Sequence, residues 1–435
     1  MRKMFLFVFF ISIATVVFGQ SIRDEIQQDI RRSAGKYMTY PIPGQDKKTP
    51  NPEGKPPFYI SHYGQGGARY LSQKEDYETP YRILEAADLD GKLTPLGHDV
   101  LQRVSRIRDD AYQRWGELTE SGARQQQQII SRMVKRFPEV FADGAAVDAR
   151  SVMTTLSILS MENAMMELSA LRPKLKLHHN ATERDMRYLD YQDKQLTAIR
   201  MDTATRQHYD RFAVRHTNDK RLMQALFNDT AYVRQHVDMN HFGDCLFKIA
   251  SNLQSTELRK QMTLYDLFDD EEVYNHWEKD NAWWYVNYGG CTVNGGLQPY
   301  TQRHLLRKII EQADSCIRLP KPGIHLRFGH ETALMSLVCL LNLNGYGLAT
   351  DNLETLDRKG WADYKISPMS ANVQLVFFRT DPEDDNVLVK VLLNENEVKL
   401  PVKTWSETYY QWSAVRDYWL KQLDVYETKL KGMKL

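Results

Sequence analysis

The stretch PPFYISHYGQGGARY, residues 56–70, sets a strand-forming run directly against a glycine-rich one. Behind two prolines, aromatic and β-branched residues predict a strand over residues 57–64, which then opens into Gly64, Gly66 and Gly67. Where a strand ends in glycines, backbone can approach a ligand closely, because no Cβ stands in the way. Further strands are predicted at residues 145–149, 175–181 (LKLHHNA), 323–329 (GIHLRFG), 372–379 (NVQLVFFR) and 386–394 (NVLVKVLLN).

Helical patterns fill the intervals. From residue 81 to 141 two similar openings, LTPLGHDVLQRV from Leu93 and LTESGARQQQQII from Leu118, each offer a threonine as N-cap. Between about residues 183 and 318 strand pattern almost vanishes, while RQHYDRFAVRHTNDKRLMQALF and RHLLRKIIEQADSCIRL carry apolar residues at helical spacing. Strands early and late with helices between predict an α/β sheet domain, residues 20–182 and 319–435, interrupted by a helical cap, residues 183–318. A ligand cleft would then lie where cap meets sheet. The proline-punctuated segment 21–56 reads as a short helix and an extended lead-in. The Trp- and Tyr-rich tail from Trp405 reads as docking on the core.

Three strand ends carry polar chemistry: SHYGQGGARY (61–70), ARS (149–151) and RFGHET (327–332). Arg69 and Arg150 suit bidentate contact with a phosphoryl group, His330 adds a donor, and Glu331 adds an acid. Open α/β sheets bind ligands at the carboxyl ends of their strands, so the three segments can converge.

In order, the strand–glycine–Arg69 segment, LTPLG, FPEVF followed by ARS, LRFGHET and SPMSANVQLVFFR resemble the histidine acid phosphatases, in particular bacterial phytases and multiple inositol polyphosphate phosphatases. The resemblance spans roughly residues 56–425 and implies a phosphoglycerate-mutase-like α/β core with an inserted α-helical cap. It also implies phosphomonoester hydrolysis without a metal or other cofactor, through a phosphohistidine. Arginines would hold the phosphoryl oxygens, and a second histidine followed by an acid would serve the leaving group. On this chain Arg69 and Arg150 fall on substrate-binding positions, with His330 and Glu331 at the second, catalytic half of the site.

The family's R-H-G-x-R element, however, reads Gln65-Gly66-Gly67-Ala68-Arg69 here. Gly66 stands at the nucleophile and cannot attack phosphorus. Gln65 replaces one arginine, and Leu156 stands where a further arginine is expected six residues beyond Arg150. His62 lies at the strand end, but its side chain would have to reach past residues 63–65 to replace the missing imidazole. The sequence therefore predicts a catalytically impaired histidine-acid-phosphatase-like protein that keeps a partial anion pocket from Arg69, Arg150 and His330 and binds a phosphorylated or otherwise anionic small molecule. An active phosphomonoesterase working by a variant route, with Glu331 and a water, and a non-enzymatic interaction protein are the alternatives.

Composition limits the other readings. With 57 basic and 56 acidic residues in 435, 42% hydrophobic and 26% charged, the chain is of ordinary globular make-up and has no broad footprint for nucleic acid. His178, His179, His236 and His241 have no matching carboxylate spacing, so no metal site is predicted, and neither a P-loop nor a dinucleotide fingerprint is present. Residues 1–19 read as a signal peptide, with Arg2 and Lys3 before an apolar run too short for a membrane span, which predicts a secreted or periplasmic mature protein with no membrane span. Export would leave Cys245, Cys291, Cys316 and Cys339 where disulfides persist, with Cys339, in LMSLVCLLNL, the better buried thiol.

Overall fold

The computed structural model describes residues 21–43, 48–321 and 323–432, so the predicted leader lies outside the described residues. Its frame is one mixed sheet of β1 (Pro57–Gln65), β2 (Ala146–Ser151), β3 (Lys176–Asn180), β4 (Ile324–Gly329), β5 (Asn372–Phe378), β6 (Leu388–Leu393), β7 (Asn396–Glu397) and β8 (Tyr410–Gln411). The order across the sheet is β8-β6-β5-β1-β4-β2-β3, with β7 beside β6. β3, β2, β4 and β1 run parallel, and β5 turns antiparallel against β1. All nine residues of β1 are buried, as expected of a central strand covered on both faces. The five other strands read from the sequence are β2 to β6. The α/β class is thus observed, and its parallel strands send the ends of β1, β4 and β2 to one edge.

The two threonine openings start helices as expected. Thr94 accepts from the Gly97 N–H at 3.0 Å ahead of helix Pro95–Asp110, and Thr119 from the Gly122 N–H at 3.1 Å ahead of helix Glu120–Arg136. The regular elements within residues 183–318 are helices, except that Gly290–Cys291 pairs with Ala349–Thr350 in a separate two-stranded sheet. Within that stretch, helix Arg303–Cys316 places Leu305, Ile309 and Ile310 in the apolar cluster that also holds Tyr59 and Leu375 of the sheet. Helix Met239–Asn252 and the first half of helix Asp270–Tyr288 instead pack with residues drawn from 22–38 and 70–111.

The N-terminal segment is tied down along its length. A capping box between Ser21 and Asp24 opens helix Ile22–Gln28, which buries Ile22 and Ile26. Glu25 accepts hydrogen bonds from the Tyr364 hydroxyl and the Lys365 ammonium, each at 2.7 Å, and the Tyr40 hydroxyl donates to Glu395 at 2.9 Å. Between these anchors the 3₁₀ turn Ile30–Tyr37 bends at Gly35, at φ 55°, where a Cβ would lie 2.1 Å from Asp363 Oδ2. Only glycine combines that backbone with that approach.

The closing helix Trp412–Gly432 buries Trp412, Val415, Trp419, Leu423 and Tyr426, so the aromatic tail does dock on the core. The four cysteines are free thiols, and Cys339 is buried. Among the described residues no helix is long and apolar enough to cross a membrane.

Candidate functional site

At the tip of β1 the side chain of Gln65 is buried in a hydrogen-bond knot. Its Nε2 donates to the Pro368 carbonyl at 2.5 Å, and its Oε1 accepts from the Ser367 hydroxyl at 2.6 Å. Next to it, a Cβ built on Gly66 would stand 2.7 Å from Leu156 Cδ2 and 2.8 Å from Cγ. The leucine therefore fills the space over Gly66 that a side chain at that position would need. Gly67 donates its N–H to Ser160 Oγ at 3.1 Å, on the same helix as Leu156, Thr155–Leu171. Its missing Cβ lets the loop lie against the Gly122 backbone, 2.7 Å from where that Cβ would be. The glycine loop is thus packed on two helices rather than open.

Arg69 follows and is 5% exposed. Its Nη2 donates to Glu331 Oε1 at 2.5 Å, and its main-chain carbonyl accepts from Asn252 Nδ2 at 2.9 Å. Glu331 is the first residue of helix Glu331–Leu341 at the end of β4, where the helix dipole favours negative charge. A second cation reaches the same oxygen, the Lys36 ammonium at 3.5 Å. Burial alone would raise the Glu331 pKa, but Arg69 and Lys36 outweigh it and hold the carboxyl far below the usual range. Glu331 is therefore a carboxylate at ordinary pH, with no proton to give to a leaving group.

His330 sits at the helix N-cap with its ring turned to Asp190, Nε2 to Oδ1 at 3.8 Å. That carboxylate raises the imidazole pKa against the opposing effect of burial. The ring opens into a polar cavity of about 290 Å³ shared with Asp190, Arg200, Tyr288 and Gln302.

Arg150 ends elsewhere. Strand alternation puts it on the same face as Asp148, and the two pair at 2.8 Å, with Asp185 at 3.7 Å beyond. Among the described residues no ion pair or hydrogen bond joins Arg150 to Arg69, His330 or Glu331. The fold brings Arg69 and Glu331 into contact, places His330 beside them, and engages Arg150 separately.

His62 is buried with Nδ1 unpartnered, its ring against Phe328, and burial followed by Arg327 lowers its pKa to about 3. A neutral, enclosed imidazole of this kind does not reach the site. Two other histidines have the surroundings of a metal ligand, His216 with Glu278 and Glu354, and His276 with Asp219 and Asp244. In each the imidazole already spans two carboxylates through its two nitrogens, at 2.8 Å for His216 and 2.9 Å for His276. Neither set includes the histidines weighed in the sequence.

Sequence reasoning missed Lys36 and Asp190. Nothing in SAGKY marks a lysine that closes on a glutamate 295 residues away. Nor did sequence reasoning pair Arg150 with Asp148, although the two lie on one face of a strand.

Residues 67–394 match the profile of the histidine phosphatase superfamily (branch 2). The chain belongs to that family. The match begins immediately after Gly66, so it rests on the rest of the branch 2 pattern. Among solved structures, the multiple inositol polyphosphate phosphatase of Bifidobacterium longum in complex with phosphate is similar at a TM-score of 0.76 and 15% identity, covering 89% of this chain and 97% of that one. The same enzyme in complex with inositol hexasulfate gives 0.74 and 16%, over 87% and 96%. The phytase from D. castellii gives 0.67 and 14%, over 91% and 86%. A search of curated protein sequences finds no match. At such identities the likeness carries the fold, and what this branch 2 chain does must come from its own residues.

Proposed function

We propose that this branch 2 protein has lost phosphoryl transfer and binds a small molecule, through a single anionic group, in the cleft where its relatives react. The observation that carries this reading is the filling of the nucleophile's space by Leu156 over Gly66. Loss of a covalent nucleophile costs about a thousandfold or more in rate, because the remaining positioning and electrostatics give only residual catalysis. The acid is spent as well, since Glu331 is held as a carboxylate by Arg69 and Lys36.

Those three groups sum to one positive charge, and His330 adds to it when protonated. One anionic group is thereby favoured, in competition with Glu331 for Arg69. A polyphosphate would find Gln65 and Leu156 at two positions where the family resemblance expects arginine. The basic and then apolar opening of the sequence supports export as the setting of this binding.

The test is phosphate release from inositol hexakisphosphate and from an aryl phosphate by the purified chain, over about pH 3 to 8, with His330→Ala alongside. Equal silence of wild type and variant is expected. Turnover that disappears with His330→Ala would overturn the proposal and require another nucleophile.

A further inference from the structure

Lys36 also lines a pocket of about 330 Å³, formed by the 3₁₀ turn Ile30–Tyr37 and by helices Thr203–Arg215, Met239–Asn252 and Asp270–Tyr288. This volume lies at the lower end of the range for small-molecule sites. Its charges are almost all engaged with one another. Lys248 pairs with Asp76 and Lys279 with Asp244, each at 2.6 Å, His276 spans Asp219 and Asp244, and Lys36 leans on Glu331. Asp280 is the exception: its carboxyl group makes no hydrogen bond and no ion pair among the described residues, although it lines the pocket. Around it stand Trp283, 36% exposed, and the phenols of Tyr37 and Tyr209, which have no hydrogen-bond partner among the described residues.

Three ligand classes can be compared against this lining. A polyanion would have to break existing ion pairs, since no lining cation is uncommitted. An organic cation would seek the aromatic faces, but the Lys36 ammonium already lies 4.8 Å from the Tyr37 ring and 4.6 Å from that of Trp284. An uncharged polyhydroxylated ring disturbs nothing. Its hydroxyls supply the donors a free carboxylate needs, its remaining oxygens meet the phenols, and its C–H face covers an indole.

Resting on the reading of the cleft as a binding site, we propose that this cap-side pocket holds the uncharged ring of a hexose-sized sugar, with Asp280 accepting its hydroxyls and Trp283 covering its face. Any anionic substituent would point past Lys36 toward Arg69.

Calorimetric titration of the full chain with glucose, galactose, mannose and N-acetylglucosamine tests this. At least one sugar should bind saturably with a midpoint below about 1 mM. Asp280→Asn and Trp283→Ala should each weaken it by about tenfold or more, and Trp283→Phe by less, at unchanged urea midpoints. Absence of binding by all four sugars, or binding indifferent to both substitutions, overturns the inference and leaves the loss of phosphoryl transfer standing. Phosphate release in the assay above would instead overturn that loss, whatever the sugars do.

Discussion

The tips of β1 and β4 are hydrogen-bonded neighbours in one sheet, Gln65 opposite Gly329, yet they have been furnished differently. At β1 the polar machinery that the family resemblance leads one to expect is replaced by packing, with Gln65 tied to residues 367–368 and Leu156 laid over Gly66. At β4 the charges remain, but they face one another, Arg69 and Lys36 on Glu331 and Asp190 on His330. One tip is filled by packing, and at the other the charges are committed to one another. Only the filled tip would need new volume to admit a larger side chain.

The largest expected effect tests the charged side. Arg69→Ala leaves Glu331 with Lys36 alone and should cost about 3 kcal/mol in urea unfolding, much of it recovered by adding Glu331→Gln. An equal loss in both backgrounds would mean that Arg69 acts through packing, and the contrast between the two strand tips would fade. The packed side comes next. Gly66→His should cost about 2 kcal/mol by overpacking Leu156, and Leu156→Ala should relieve more than half of that in a double-mutant cycle. Strict additivity would mean that the two positions do not share one volume.

A pH profile separates the two sides further. The folded pKa of Glu331 is depressed, so its stabilisation is complete above the unfolded value near ~4.3 and fades as pH falls toward the lower folded value. The folded pKa of His330 is raised, so its contribution is complete below about 6.5 and is lost as pH rises through the higher folded value. The urea midpoint should therefore decline on the alkaline side, and His330→Gln should flatten that decline without changing the acid limb. The smallest effect belongs to His62, whose buried Nδ1 has no partner. His62→Leu should change stability by less than about 1 kcal/mol.

The sheet was legible in the sequence because β1, β4, β5 and β6 combine β-branched and aromatic runs with sharp punctuation, and Thr94 and Thr119 announced their helices. The departures at Gln65, Gly66 and Leu156 were legible as well, but not that Gly66 and Leu156 share one volume, since the strand and the helix meet only in three dimensions. The fate of the cations was hidden for the same reason. Arg69, Arg150 and His330 look alike as free donors in a string of letters, and which carboxylate claims each depends on the tertiary packing that brings Glu331, Asp148 and Asp190 to them. The free state of the cysteines was equally out of reach, since spacing left every pairing open.

The anchoring of the first described residues bears on how the chain comes together during synthesis. Residues 21–40 are made long before their anchors at Glu331, Tyr364, Lys365 and Glu395, which follow at separations of 295 to 355 residues. At about 5 to 20 residues per second Glu25, Lys36 and Tyr40 wait tens of seconds for these partners, whereas Ile22, Ile26 and Met38 pack in one apolar cluster with residues made before those partners, such as Leu84 and Phe242. The piece that carries Lys36 is therefore made early and fixed late, and its ion pair with Glu331 closes only after about three quarters of the chain exists.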